Sequence, residues 1–94
     1  MTLLLATLTS TRAFASPSSS HLGQTIGYSV QGNPIMAYTV GWGTRPVVII
    51  GGIHGGSEWA TTDLVATAAE YFRLHAADIP PPLNLVFIPS ANPD

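Results

Sequence analysis

Cysteine is absent from this 94-residue chain, which excludes a disulfide framework and a thiolate metal site and leaves every compartment open on redox grounds. Lysine is absent too. Arg12, Arg45 and Arg73 face five acidic residues, for a net charge of −2. Nucleic-acid binding needs clustered positive charge to displace counterions from phosphate, and no such cluster exists. A glycine-dense segment at 51–56 lacks the lysine of a phosphate-binding P-loop. Nor is there an apolar run of the roughly 20 residues that a membrane span requires. Charged residues are only 9% of the chain, against about a quarter of a typical globular domain.

What the chain does have is apolar bulk, 46% of its residues. A disordered chain shows the opposite balance. The composition suits the buried centre of a larger α/β protein. At the start, Leu3, Leu4, Leu5, Ala6 and Leu8 precede Ala13-Phe14-Ala15, a small-x-small pattern of the kind cleaved from exported proteins, although no basic residue leads the run. Ser16 to Ser20, with Pro17, reads as a linker. Residues 1–21 are therefore expected to be a leader and linker, with the product exported, and residues 22–94 the folded portion.

Thr25 to Gln31 and Ile35 to Val40 are β-prone runs around the turn cluster Gly32-Asn33-Pro34, which predicts an antiparallel hairpin. Val47-Val48-Ile49-Ile50 is a continuous β-branched run, the pattern of a parallel strand buried on both faces. A helix is expected from about Glu58 to His75, with Ser57 as its N-cap. Ala60, Leu64, Val65, Ala68 and Phe72 fall on its apolar face, and Asp63, Thr67, Glu70 and Arg73 on the other. Pro80-Pro81-Pro82 ends it, and Leu83 to Ile88 is a second buried strand. The fold class is α/β: a hairpin followed by a βαβ unit, the N-terminal part of a mixed-sheet domain. One helix cannot cover both faces of such a sheet, so the chain is expected to continue beyond Asp94.

In open α/β sheets function gathers past the carboxyl ends of the parallel strands. His54 lies there, four residues after Ile50, and Glu58 follows four residues later. Without thiolates, imidazole and carboxylate are the natural zinc donors, and the flanking glycines let the backbone come close to an ion. Each residue also has a plainer reading. A histidine after a strand can simply bond to backbone, and a carboxylate at a helix start is favoured by the dipole. His75 lies about 25 Å along the helix from Glu58 at 1.5 Å per residue, and is expected to bond to the helix's last carbonyls. His21 falls in the linker. Trp59, Tyr71 and Phe72 read as packing residues, and Trp42 as a cover over the hairpin. Asn92 and Asp94 read as turn residues, or, for Asp94, as a group orienting a ligand imidazole.

The run VVIIGGIHGGSEWATTDLVATAAEYF resembles the first zinc-binding segment of the metallocarboxypeptidases, the M14 peptidase family, in its strand, its Gly-Gly-x-His and its Glu leading into a helix. IGYSVQGNPIMAYTVG is similar to the family's opening hairpin at Gly27, Ser29, Gly32, Pro34 and Ile35. LVFIPSANPD resembles the strand that ends in Asn-Pro-Asp-Gly. Three residues separate His54 from Glu58 where the family usually has two. Members with HGGYE share the longer spacing, and Glu58 aligns as the ligand. The resemblance implies Zn²⁺ held by His54, Glu58 and a distant second histidine, with another Glu as general base. It also implies a peptide or amide substrate with a free carboxylate, and no catalytic residue within these 94.

Two rival readings stand beside it. His-Gly-Gly after a strand also resembles the oxyanion loop of α/β-hydrolase esterases, which would need a downstream G-x-S-x-G elbow. A carboxypeptidase-like protein that binds peptide or metal without turnover is the other, and an amide hydrolase acting on acylated amino acids is a variant within the same fold.

Overall fold

The computed structural model describes residues 23–94, so the leader, the linker and His21 lie outside the described residues. Strands β1 (Gln24–Tyr28) and β2 (Pro34–Val40) form the expected hairpin, antiparallel with Thr25 opposite Met36 and Tyr28 opposite Pro34. Strand β3 (Arg45–Ile50) leads through a 3₁₀ turn (Gly56–Glu58) into helix α1 (Trp59–Leu74), and a second 3₁₀ turn (Ala76–Asp78) precedes β4 (Leu83–Ile88). The sheet order is β1-β2-β4-β3, with β2 antiparallel and β3 parallel to β4. The fold is therefore α/β, a mixed four-stranded sheet with one helix.

Residues in register across strands share a face. Tyr38, Phe87 and Ile49 form one such row, and Val40, Leu85 and Val47 the next. These rows point at the helix. Val40, Val65, Ile79 and Phe87 make the buried core, with Ala68, Ala69 and Phe72 packed against it. The Phe72 and Phe87 rings stack at 6.1 Å. The alanines let α1 lie close to the sheet, so Phe87 and Val40 are each left only 1% exposed.

Three local expectations need correction. Leu64 points to solvent, 68% exposed, because the contact stripe centres on Val65, Ala68, Ala69 and Phe72 rather than one residue earlier in the turn. Ser57 does not cap the helix: it lies inside the 3₁₀ turn, and α1 begins at Trp59 with no side-chain cap. Strand β3 is not buried on both faces. It occupies a sheet edge, α1 covers one face only, and Val48 and Ile50 on the other face stay about half exposed.

The far end of α1 is closed as its residues suggest. The His75 Nδ1 lies 2.9 Å from the Tyr71 carbonyl, and the ring stacks on Tyr71 at 4.3 Å. The Tyr71 hydroxyl donates to Asp78 at 2.7 Å, which raises the phenol pKa above its ordinary value. Trp42 is not over the hairpin turn. It lies at the opposite end of the sheet, in a hollow it shares with Ile79, Pro80 and Pro81.

Candidate metal centre

Beyond β3 the chain cannot run straight on, because α1 returns across the strand end. Gly51 and Gly52 make this crossing. A Cβ on Gly51 would lie 2.5 Å from the Thr61 carbonyl oxygen and 2.9 Å from that of Pro89. One on Gly52 would lie 2.4 Å from Thr62 Oγ1, and its φ of +60° is a left-handed conformation as well. Only glycine fits both demands without strain. The pair is pinned to residues 88–92 by three bonds: Gly51 N–H donates to Ile88 O at 2.9 Å, Ala91 N–H to Gly51 O at 3.0 Å, and Asn92 N–H to Gly52 O at 2.9 Å.

His54 and Glu58 come next, separated by Gly55 and Gly56, both with positive φ, and by Ser57. Glu58 closes the 3₁₀ turn, its N–H donating to Gly55 O at 3.2 Å. Thr61 ties it down from the helix: its hydroxyl donates to Glu58 O at 3.1 Å and accepts from Gly52 N–H at 2.8 Å. Sequence reasoning missed Thr61; a hydroxyl one turn inside a helix whose start lacks a cap is the signal that could have found it.

His54 and Glu58 line one hollow of about 110 Å³, together with Ile50, Gly51, Gly52, Ile53 and Thr61. Both side chains are exposed, and among the described residues neither is hydrogen-bonded to another group. An imidazole nitrogen and a carboxylate oxygen are donor types that zinc takes, and both residues line this hollow. The described residues bring no third donor to it: no group of three His, Cys, Asp or Glu gathers among them. His75 stays at the other end of α1. By donor type alone, His54 and Glu58 suit two zinc positions.

Trp59, read as a packing residue, is 67% exposed. It lines a neighbouring hollow of about 300 Å³ with Glu58, Thr62, Ser90 and Asn92. Asp94 makes no hydrogen bond to the His54 imidazole among the described residues; its carboxylate accepts from the Ser29 hydroxyl, from Asn33 Nδ2 at 3.0 Å and from Gln31 N–H at 3.2 Å. These bonds, that of Ser29 foremost, hold its carboxyl below the usual carboxylate range.

Among the described residues no helix is long and apolar enough to cross a membrane. Neither the curated proteins nor the solved structures contain a match to the chain. The family model described as zinc carboxypeptidase matches residues 8–94, a span that takes in the hairpin, the His54–Glu58 corner and the Asn92–Asp94 ending together. By that match, the chain belongs to the zinc carboxypeptidase family.

Proposed function

We propose that His54 and Glu58 are two protein ligands of a catalytic zinc in a metallocarboxypeptidase-type hydrolase, which cleaves a peptide or amide bond beside a free carboxylate. The observation that carries this reading is the shared hollow: two uncommitted donors of the right chemistry, at a parallel strand end, in a chain of this family. The bound ion would polarise the scissile carbonyl and acidify a water. The chain's own part is to present a neutral imidazole and an ionised carboxylate from one corner. The glycines at 51 and 52 bring the helix against the strand end, and Thr61 fixes Glu58 at the helix start. The third ligand and the general base are groups that the described residues do not supply, so the 94-residue chain alone is expected to bind zinc without hydrolysing peptide.

The esterase reading would leave Glu58 idle, and the family match gives it no support. A metal-binding protein without turnover uses the same corner, and activity distinguishes it. Export belongs to the proposal through the leader-like residues 3–15 alone.

Zinc titration of the chain, followed calorimetrically, should give binding that His54→Ala and Glu58→Gln each reduce below detection. Equal binding by both variants would refute the ligand assignment. In the complete enzyme, a chelator should abolish hydrolysis of a peptide with a free C-terminus, and the amidated peptide should not be cleaved. Undiminished hydrolysis after chelation would refute the zinc mechanism.

A further inference from the structure

The three motifs met separately along the sequence converge in space, and the two zinc ligands do not explain why. The β1–β2 turn is closed internally: Ser29 N–H donates to Asn33 O at 2.8 Å, and Asn33 N–H to Ser29 Oγ at 3.0 Å. Across 61 to 65 residues of sequence, three donors of that turn, on Ser29, Gln31 and Asn33, point at the Asp94 carboxylate. Asp94 in turn donates its N–H to Asn92 Oδ1 at 3.3 Å. Asn92 and Ala91 hold the carbonyls of Gly52 and Gly51. The Asn92 side chain also lies against Gly55, its Nδ2 3.1 Å from where a Cβ would stand.

The two candidate ligands are not held alike. Glu58 is fixed by the helix start. His54 sits between Gly52 and Gly55, two left-handed glycines, and both flanking glycines are touched by Asn92, through the Gly52 carbonyl and against Gly55. Glycine offers little conformational resistance, so the contacts of Asn92 are what restrain this segment.

We propose that Asp94 is a positioning residue for the metal centre: by latching the β1–β2 turn it seats residues 90–94 against the glycine segment and so sets His54 relative to Glu58. This rests on the zinc reading of those two residues, and its test separates the two ideas. The full chain, Asp94→Ala and Ser29→Ala should be compared by amide hydrogen exchange without metal and by zinc titration. Ser29→Ala breaks the same latch from the other strand pair and guards against an effect confined to the chain's end. Both variants should speed exchange at Ala91 and Asn92, whose N–H groups hold the Gly51 and Gly52 carbonyls, not only in the hairpin turn, and weaken zinc binding about 10-fold, as loss of an outer supporting group does. Asp94→Asn, which keeps one acceptor oxygen, should recover part of both. Faster exchange confined to residues 29–33, with zinc affinity unchanged, would overturn the positioning role. If the unaltered chain binds no zinc, the ligand assignment fails, and exchange at Ala91 and Asn92 alone decides whether the latch reaches the glycine segment.

Discussion

Three glycines at the strand end separate two physical demands, and replacing each by alanine should rank them. Gly56 has φ +60° but nothing within 4 Å of its missing Cβ. Alanine there has only the left-handed backbone to bear, about 1 kcal/mol. Gly51 has an ordinary φ, but its Cβ would meet the Thr61 carbonyl oxygen at 2.5 Å and Val65 Cγ2 at 2.8 Å. One neighbour is helix backbone, which cannot swing aside, so the cost is overpacking at about 3 kcal/mol. Gly52 carries both burdens, with Thr62 Oγ1 at 2.4 Å and φ +60°, and the two sum to about 4 kcal/mol. A domain this small has a stability on the order of 5 kcal/mol. Urea unfolding followed by far-UV circular dichroism, with a slope of about 1 kcal/mol per molar, should move the midpoint by about 1 M for Gly56→Ala and about 3 M for Gly51→Ala. Gly52→Ala should keep only about 1 kcal/mol, with a midpoint of about 1 M urea. A Gly51→Ala variant no less stable than Gly56→Ala would refute the claim that helix α1 sets the close approach.

Acid should act on the latch in a defined direction. Because the Asp94 carboxyl is held below its usual range in the folded chain, its contribution is complete above the unfolded carboxyl's pKa of about 3.9 and is lost as pH falls through the lower folded value. Thermal midpoints between neutral and strongly acidic pH should therefore fall less steeply in Ser29→Ala than in the unaltered chain, and parallel curves would count against the latch. The open face of β3 should drive self-association, since Val48 is 52% and Ile50 46% exposed on an edge strand. Val48→Lys should shift the chain toward monomer in sedimentation velocity; an unchanged distribution would place the contact elsewhere.

The strands were legible because β-branched runs bounded by glycine and proline admit few other readings. The hairpin turn was legible from Gly32-Asn33-Pro34, and the helix from its apolar period. The failures share a cause. Leu64 and Val65 both fall near the edge of the apolar stripe, and only the packing of Ala68, Ala69 and Phe72 on the sheet decides that Val65 is the one buried. Ser57 satisfied the composition rule for a cap, but a cap depends on where the first turn forms, and the 3₁₀ turn moved it. The partners of Asp94 lie 61 to 65 residues away, a separation that no local pattern reports. Of the candidate site, the donor types and their location past β3 were readable; that they line one hollow required the path of the backbone between them.

That path bears on the one departure from the family pattern. A spacing of four residues invites the idea that His54 and Glu58 share a helix face, one turn apart. They do not: His54 precedes the 3₁₀ turn, and Glu58 ends it, one residue before α1. Their approach to a common hollow depends instead on Gly55 and Gly56, at φ +66° and +60°. Gly55 pairs its positive φ with an extended ψ of −175°, and Gly56 opens the 3₁₀ turn at φ +60°, so a spacing one residue longer can be taken up in backbone that glycine alone adopts readily. On this account the second glycine is the structural counterpart of the added residue. A side chain at position 56 would then disturb the distance between the two donors more than it disturbs the fold, since no atom stands within 4 Å of it.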